Sequence, residues 1–341
     1  MIDRYLKLFY VGVLILISAV ANAQDNSNAL KYTIQYDDPY DLRKLFVHFQ
    51  PMYGDLAAIN ATGGFGIEAN YYHDKIFDVT LGARTTYGKR FDITEDAAAR
   101  NASTDNPIGS YYYVELGGTY HIKDFATESA SKVLLYNKRL KGVEWASTVA
   151  QKATIKSKVR QIIGVRAGGF SYRSAVGLNR VLKEQNIELQ YSSGSPVELD
   201  NMYTTISSHS IYLGGSMSWF RNYAVDFEKK WDASGDDLLF TTYLDFAYSP
   251  SITLDDLRIF NEQTSTTEII DVTPVKKQPI GVKAGMTGKF NRNLGWGYGA
   301  ELGMRPGLQK RTFFMTLKLS FPIYGTKLEN ELEVVNTETG E

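Results

Sequence analysis

Residues 311–324, R-T-F-F-M-T-L-K-L-S-F-P-I-Y, decide how this chain is read. Phe313, Met315, Leu317, Leu319 and Phe321 occupy every second position, with Phe314, Thr316, Lys318 and Ser320 between them. Successive side chains of a β-strand point to opposite faces, so the first set forms one apolar surface and the second a more polar one carrying a charge at mid-strand. Two solvents fit that pattern. In a soluble sheet the apolar face is turned inward; in a transmembrane barrel it meets lipid, and the polar face lines the interior.

Moving outward, the alternation recurs over residues 44–53, 62–73, 76–87, 110–122, 160–172, 208–219, 223–229, 238–248, 279–290 and 294–304, which makes eleven strands with the opening stretch. Most run about ten to fourteen residues, longer than the five or six usual in globular sheets and enough for the roughly nine to eleven that a membrane crossing needs. Single-chain bacterial barrels have an even strand number. The expectation is therefore an all-β, antiparallel up-and-down barrel of about twelve strands, with ten and fourteen as neighbouring counts. The twelfth strand would come from residues 31–36 or from 123–158, a segment read either as a long loop with a short helix or as a pair of longer strands. Residues 89–108, 173–207 and 249–278 read as loops.

The N-terminus points to export. Arg4 and Lys7 precede an apolar run over residues 8–20, and Ala21-Asn22-Ala23 is a small-x-small cleavage signal, so a signal peptide cut after Ala23 is expected. Residues 24–43 then read as a periplasmic leader, 44–324 as the barrel and 325–341 as an acidic tail. Without cysteine there is neither a lipoprotein attachment site nor a disulfide framework. The 23 Tyr and 17 Phe suit the interfacial girdles of a barrel, and a formal net charge of −1 argues against nucleic acid.

On these assignments the inward face carries Glu68, Asp78, Glu115, Asp226, Glu228, Asp245 and Glu301, against Arg84, Arg166, Lys283, Lys289, Arg305 and Lys318. Near-balance of sign implies either a filled interior knitted by ion pairs or a water-filled lumen of weak selectivity, since a selective pore shows one dominant sign. Catalysis finds no constellation. His48, His73, His121 and His209 are scattered, and the serines flanking His209 fall on the opposite face from it. No cofactor and no metal site are expected. Asp92, Glu95 and Asp96, like Asp255, Asp256 and Glu262, lack the glycine-containing periodicity of a calcium loop and read as solvated loop charge.

Three stretches, G-V-R-A-G-G (164–169), Y-L-D-F-A-Y (243–248) and G-Y-G-A-E-L-G-M-R-P-G (297–307), are similar in style to outer-membrane β-barrel proteins of the Bacteroidetes type. The resemblance implies fold and location, with outer-membrane lipid and lipopolysaccharide as the surroundings, and carries no site residues with it. The expected function is a narrow passive channel for small solutes or ions. The alternative is a non-conducting structural or assembly accessory barrel that binds a protein partner through its long loops.

Overall fold

The alternating segments do form strands, and the strands close on themselves. The computed structural model describes residues 32–135, 151–197, 199–227, 234–261, 266–292 and 295–328. The closed barrel consists of β1 (Leu45–Ala57), β2 (Ala61–His73), β3 (Phe77–Thr86), β4 (Tyr112–Leu135), β5 (Gln151–Gly177), β6 (Tyr203–Arg221), β7 (Leu238–Leu254), β8 (Ile280–Phe290), β9 (Gly297–Met304) and β10 (Phe313–Gly325). Each strand pairs with its neighbour in sequence, and β10 returns antiparallel to β1.

The count is ten rather than about twelve. Of the eleven segments identified by alternation, Tyr223–Phe227 is not in the barrel; it joins Tyr32–Asp37 and Ser234–Asp236 in a separate three-stranded sheet. Alternation reports a half-buried strand but not which sheet it joins. The strand near residues 31–36 exists, and it too lies in that small sheet. Within residues 123–158, the described parts are continuations of β4 and β5, which reach 24 and 27 residues. The expected signal peptide, residues 24–31 of the leader and most of the acidic tail lie outside the described residues.

By its contacts the chain divides into two compact units. One comprises residues 1–34, 130–155 and 225–234, in whose described part Tyr32 and Phe227 pack with ring centroids 5.9 Å apart. The other comprises residues 35–129, 156–224 and 235–341, and everything below concerns this larger unit.

Burial follows the period of two. On β10, Phe313, Leu317 and Phe321 are exposed while Phe314 and Thr316 are buried. Met52, Leu116, Leu213, Phe246 and Leu302 are likewise at least half exposed on the outer face, so a band of large apolar side chains encircles the barrel. The buried face is the polar one.

The two ends differ. At one, the connections over residues 87–111, 178–202, 255–279 and 305–312 form folded structure instead of open loops. They contain α1 (Ile93–Asn101), α2 (Leu178–Gln185), a hairpin of Leu257–Asn261 with Thr266–Ile270, and a short pairing of Lys277–Gln278 with Gly307–Leu308. Leu178, Val181 and Leu182 stand at helical spacing on one face of α2 and pack with Met202, Leu257, Ile270, Val275 and Leu308 into an apolar core. Asn186, left-handed at φ 54°, ends α2 and donates its N–H to the carbonyls of Leu182 and Lys183. Gln185 ties the pieces together: its Nε2 donates to the carbonyls of Lys276 and Gln309, both at 3.1 Å, and its Oε1 accepts from the Lys276 N–H at 2.8 Å.

At the other end residues 38–43 lie across the barrel. Asn222 and Asn291 donate to the Asp41 carbonyl at 3.1 and 2.9 Å, and Arg292 reaches the Asp41 carboxylate at 2.6 Å. Arg43 donates to the carbonyls of Asn291 and Thr326 at 2.7 and 2.5 Å. Beneath them Phe46, Tyr72, Phe220 and Leu239 form a small apolar layer.

Candidate functional site

The candidate site is the barrel interior, because there the chain concentrates charge that it must satisfy without bulk water. Inward positions of the strands place the partners, and most contacts cross the ring. Lys283 on β8 donates to Glu115 on β4 at 2.7 Å. Arg84 on β3 reaches Glu301 on β9 at 3.3 Å, and Lys289 on β8 donates to Asn70 on β2 at 2.5 Å. Lys318 on β10 contacts Glu68 at 2.6 Å and Glu301 at 3.8 Å. Arg166 on β5 holds Asp245 on β7 at 3.0 Å, and Lys283 stands 3.8 Å from the same carboxylate. The His121 imidazole lies 2.9 Å from Asp78.

Toward the end bearing the folded connections, Arg305 and the Tyr111 hydroxyl both donate to Asp55, at 2.9 and 2.7 Å. Aromatic faces take up the remaining cationic surface: Arg84 stacks over Tyr113 at 4.6 Å, Arg166 over Tyr243 at 4.1 Å and Arg305 over Phe314 at 4.3 Å. Each long side chain is thus held by a carboxylate and a ring, in a low-dielectric setting where an unpaired charge would be costly.

Counting these named groups, six carboxylates (Asp55, Glu68, Asp78, Glu115, Asp245, Glu301) face six cations (Arg84, Arg166, Lys283, Lys289, Arg305, Lys318). A cavity among them, bordered by Gln50, Glu68, Tyr72, Arg84, Arg166 and Lys318, has about 60 Å³ of room for water-sized molecules. By the measure that a water needs 10–15 Å³ of such space, this holds roughly four to six waters. Several buried polar atoms, among them Gln50 Oε1, Arg84 Nη1, Asp245 Oδ2 and Glu301 Oε2, have no hydrogen-bond partner in the protein and are the groups such waters would satisfy.

Two assignments from the sequence change. Asp226 does not line the barrel: it is exposed on Tyr223–Phe227, outside the closed sheet. Glu228, assigned inward with it, lies outside the described residues. Conversely Asp55 is interior and was missed. The β1–β2 register shifts between Gln50 and Tyr53, where Pro51 and Met52 together stand opposite Phe65; this one extra residue resets the alternation, and β1 continues to Ala57 past the point where its pattern breaks.

The other three histidines sit in separate settings. His48 is buried with its ring parallel to Phe46 at 6.0 Å, His73 stacks on Phe77 at 4.9 Å, and His209 is exposed on the outer face while Ser208 and Ser210 turn inward. Among the described residues no three His, Asp or Glu side chains converge as a metal-ligand group.

The acidic loop residues also divide. Asp255 and Asp256 are exposed, as solvated loop charge should be. Asp92 and Glu95 are buried, at 0% and 3% exposure, which corrects the same reading for them. Burial pushes both carboxyls above the ordinary carboxylate range; Glu95 is raised further by Asp92 and lowered by Ser110 and Lys89.

No family model matches the chain, and no curated protein is significantly similar to it.

Proposed function

We propose that this protein is a non-conducting outer-membrane barrel, exported through a signal peptide cleaved after Ala23, which presents its folded connections to a protein partner outside the cell. The apolar band on the outer face supports the membrane reading, as a continuous exposed belt of this kind is stable against outer-membrane lipid and lipopolysaccharide but not against water. Ten strands bring both ends of the barrel to one side, taken as periplasmic, and put the long connections on the other.

One observation carries the non-conducting reading: side chains from opposite walls meet across the interior, as Lys283 does with Glu115 and Arg84 with Glu301. A solute would have to break several buried ion pairs at once, each costing about 3–5 kcal/mol when one partner is lost. A passive channel for small solutes, the first expectation from the sequence, finds less support for that reason. The accessory role draws on the folded connections, since a preorganised surface loses little entropy on binding. The protein is not read as an enzyme, and nucleic acid is not among its expected partners.

Planar-bilayer recording of the purified full chain tests this. Silent membranes are expected from protein that fractionates with the outer membrane and migrates faster on a gel when unboiled. Discrete openings would restore the channel. A soluble product of single mobility would remove the membrane reading altogether.

A further inference from the structure

The interior balances its charges, whereas the buried pair at the start of α1 does not. Asp92 caps α1: its Oδ1 accepts from the Glu95 N–H at 2.8 Å and from Asn60 Nδ2 at 2.9 Å. Glu95 Oε1 accepts from the Ser110 hydroxyl at 3.3 Å. The second oxygen of each carboxylate, Asp92 Oδ2 and Glu95 Oε2, is buried without a hydrogen-bond partner. Neither residue has an ion pair within 4 Å among the described residues, and Lys89 is the cation whose charge Glu95 feels. Two further hydroxyls adjoin Asp92. Thr62 forms a backbone bridge with it; the Thr62 Oγ1 and the Tyr53 hydroxyl interact with each other, make no closer hydrogen bond, and Tyr53 feels the Asp92 charge.

Two buried carboxylates one helical turn apart repel each other and lose hydration, a cost usually met by a counter-charge or a proton. The helix N-terminus offsets part of it through the N–H groups that Asp92 already accepts. What remains is two unsatisfied carboxylate oxygens beside two hydroxyls held only by each other, with no nitrogen or sulfur. That is a hard-cation donor set.

We infer that Asp92 and Glu95, with Thr62 and Tyr53, form a divalent-cation site for Ca²⁺ that fastens α1 to the rim of the barrel. Calcium suits it better than magnesium because the donors come from three separate elements, an irregular arrangement that Ca²⁺ accepts and that strict octahedral Mg²⁺ coordination disfavours. Waters complete the shell. With only two carboxylates, affinity falls in the extracellular class, roughly 0.1–1 mM. The site is independent of whether the barrel conducts.

The test is calorimetric titration of the full chain, folded in detergent, with CaCl₂ alone, together with limited proteolysis of the connection over residues 87–111. One Ca²⁺ per chain is expected, with protection from proteolysis that EGTA reverses. Asp92→Asn keeps the cap geometry and Glu95→Gln keeps the volume, and each should weaken Ca²⁺ at least tenfold. Thr62→Val should weaken it by a smaller factor. Asp96→Asn, at a carboxylate already paired with Arg100, should leave binding unchanged.

A faster-migrating unboiled band shows which variants are folded, and Thr62→Val keeps the test open if either carboxyl variant is not. Absence of binding at about 10 mM CaCl₂, ten times the weakest expected constant, overturns the proposal. So does equal binding in Asp92→Asn and wild type. If the pair instead holds a proton, protease resistance in EGTA falls as pH rises above the ordinary carboxylate range, Ca²⁺ does not restore it, and Asp92→Asn removes the dependence. That outcome also overturns it.

Discussion

The barrel interior and the folded connections above it solve opposite problems within one chain. In the interior, Lys283, Glu115 and Asp245 are buried, Arg166 is largely so, and Leu116, Leu213 and Leu302 look outward. In the connections, Leu178, Leu182, Leu257 and Leu308 are buried as in a soluble domain. The boundary lies where Tyr53, Tyr111, Tyr113 and Tyr172 gather, since tyrosine offers an apolar ring to one region and a hydroxyl to the other. The polar interior fixes which walls face each other through directional contacts. The apolar core holds α2 by area and shape, which are less demanding of register.

The largest effect should come from unbalancing the interior. Lys283→Met removes the nearer of the two cations paired with Glu115 and one of the two near Asp245, and a broken buried pair costs about 3–5 kcal/mol. Guanidinium unfolding of the lipid-embedded barrel, read by heat-modifiability, measures it. Adding Glu115→Gln should recover much of the loss, because both charges are then gone. An unchanged midpoint in Lys283→Met would mean that the interior is wetter than its contacts imply.

Next comes Leu182→Ala in the apolar core. Truncating a buried leucine costs about 2–5 kcal/mol, and here the loss should be local. The connections should become protease-sensitive while the barrel keeps its unboiled mobility. Loss of both together would show that the two regions fold as one cooperative unit. The smallest effect belongs to the surface of the connections: Arg100→Ala breaks an exposed i,i+4 pair with Asp96 on α1 and should cost about 0.3–0.5 kcal/mol, within the error of most unfolding curves.

All ten barrel strands were legible from alternation, since a two-residue period survives wherever a strand has an exposed apolar face and a buried polar one. The opening stretch shows why, with Leu317 exposed between the inward Thr316 and Lys318. What escaped the pattern has physical causes. The Pro51–Met52 irregularity hid Asp55, and with it the partner of Arg305. Tyr223–Phe227 alternates as well as any barrel strand yet pairs elsewhere. The core of the connections was visible in principle, because Leu178, Val181 and Leu182 have helical spacing, but a long polar stretch between two strands reads as loop until its apolar residues find one another. Burial of Asp92 and Glu95 depends on Asn60 and Ser110, residues with no local signature of that role.

The pairing of β10 with β1 has a consequence for assembly. Every other pairing in the ring joins consecutive strands and can form as the chain arrives, whereas Leu45 and Thr326, which exchange hydrogen bonds of 3.1 and 3.0 Å at the seam, are 281 residues apart. Cyclising a flexible chain of that length costs about 5 kcal/mol of entropy by the logarithmic rule, and most of it is already spent once the intervening strands are in place. Biogenesis therefore resembles a meander growing strand by strand and ending in a single ring closure. Until that closure the sheet keeps two unpaired edges, the outer side of β1 and the most recently added strand, each able to template pairing with a foreign chain. Arg43, bonded to the Thr326 carbonyl, bridges the seam where the two edges finally meet.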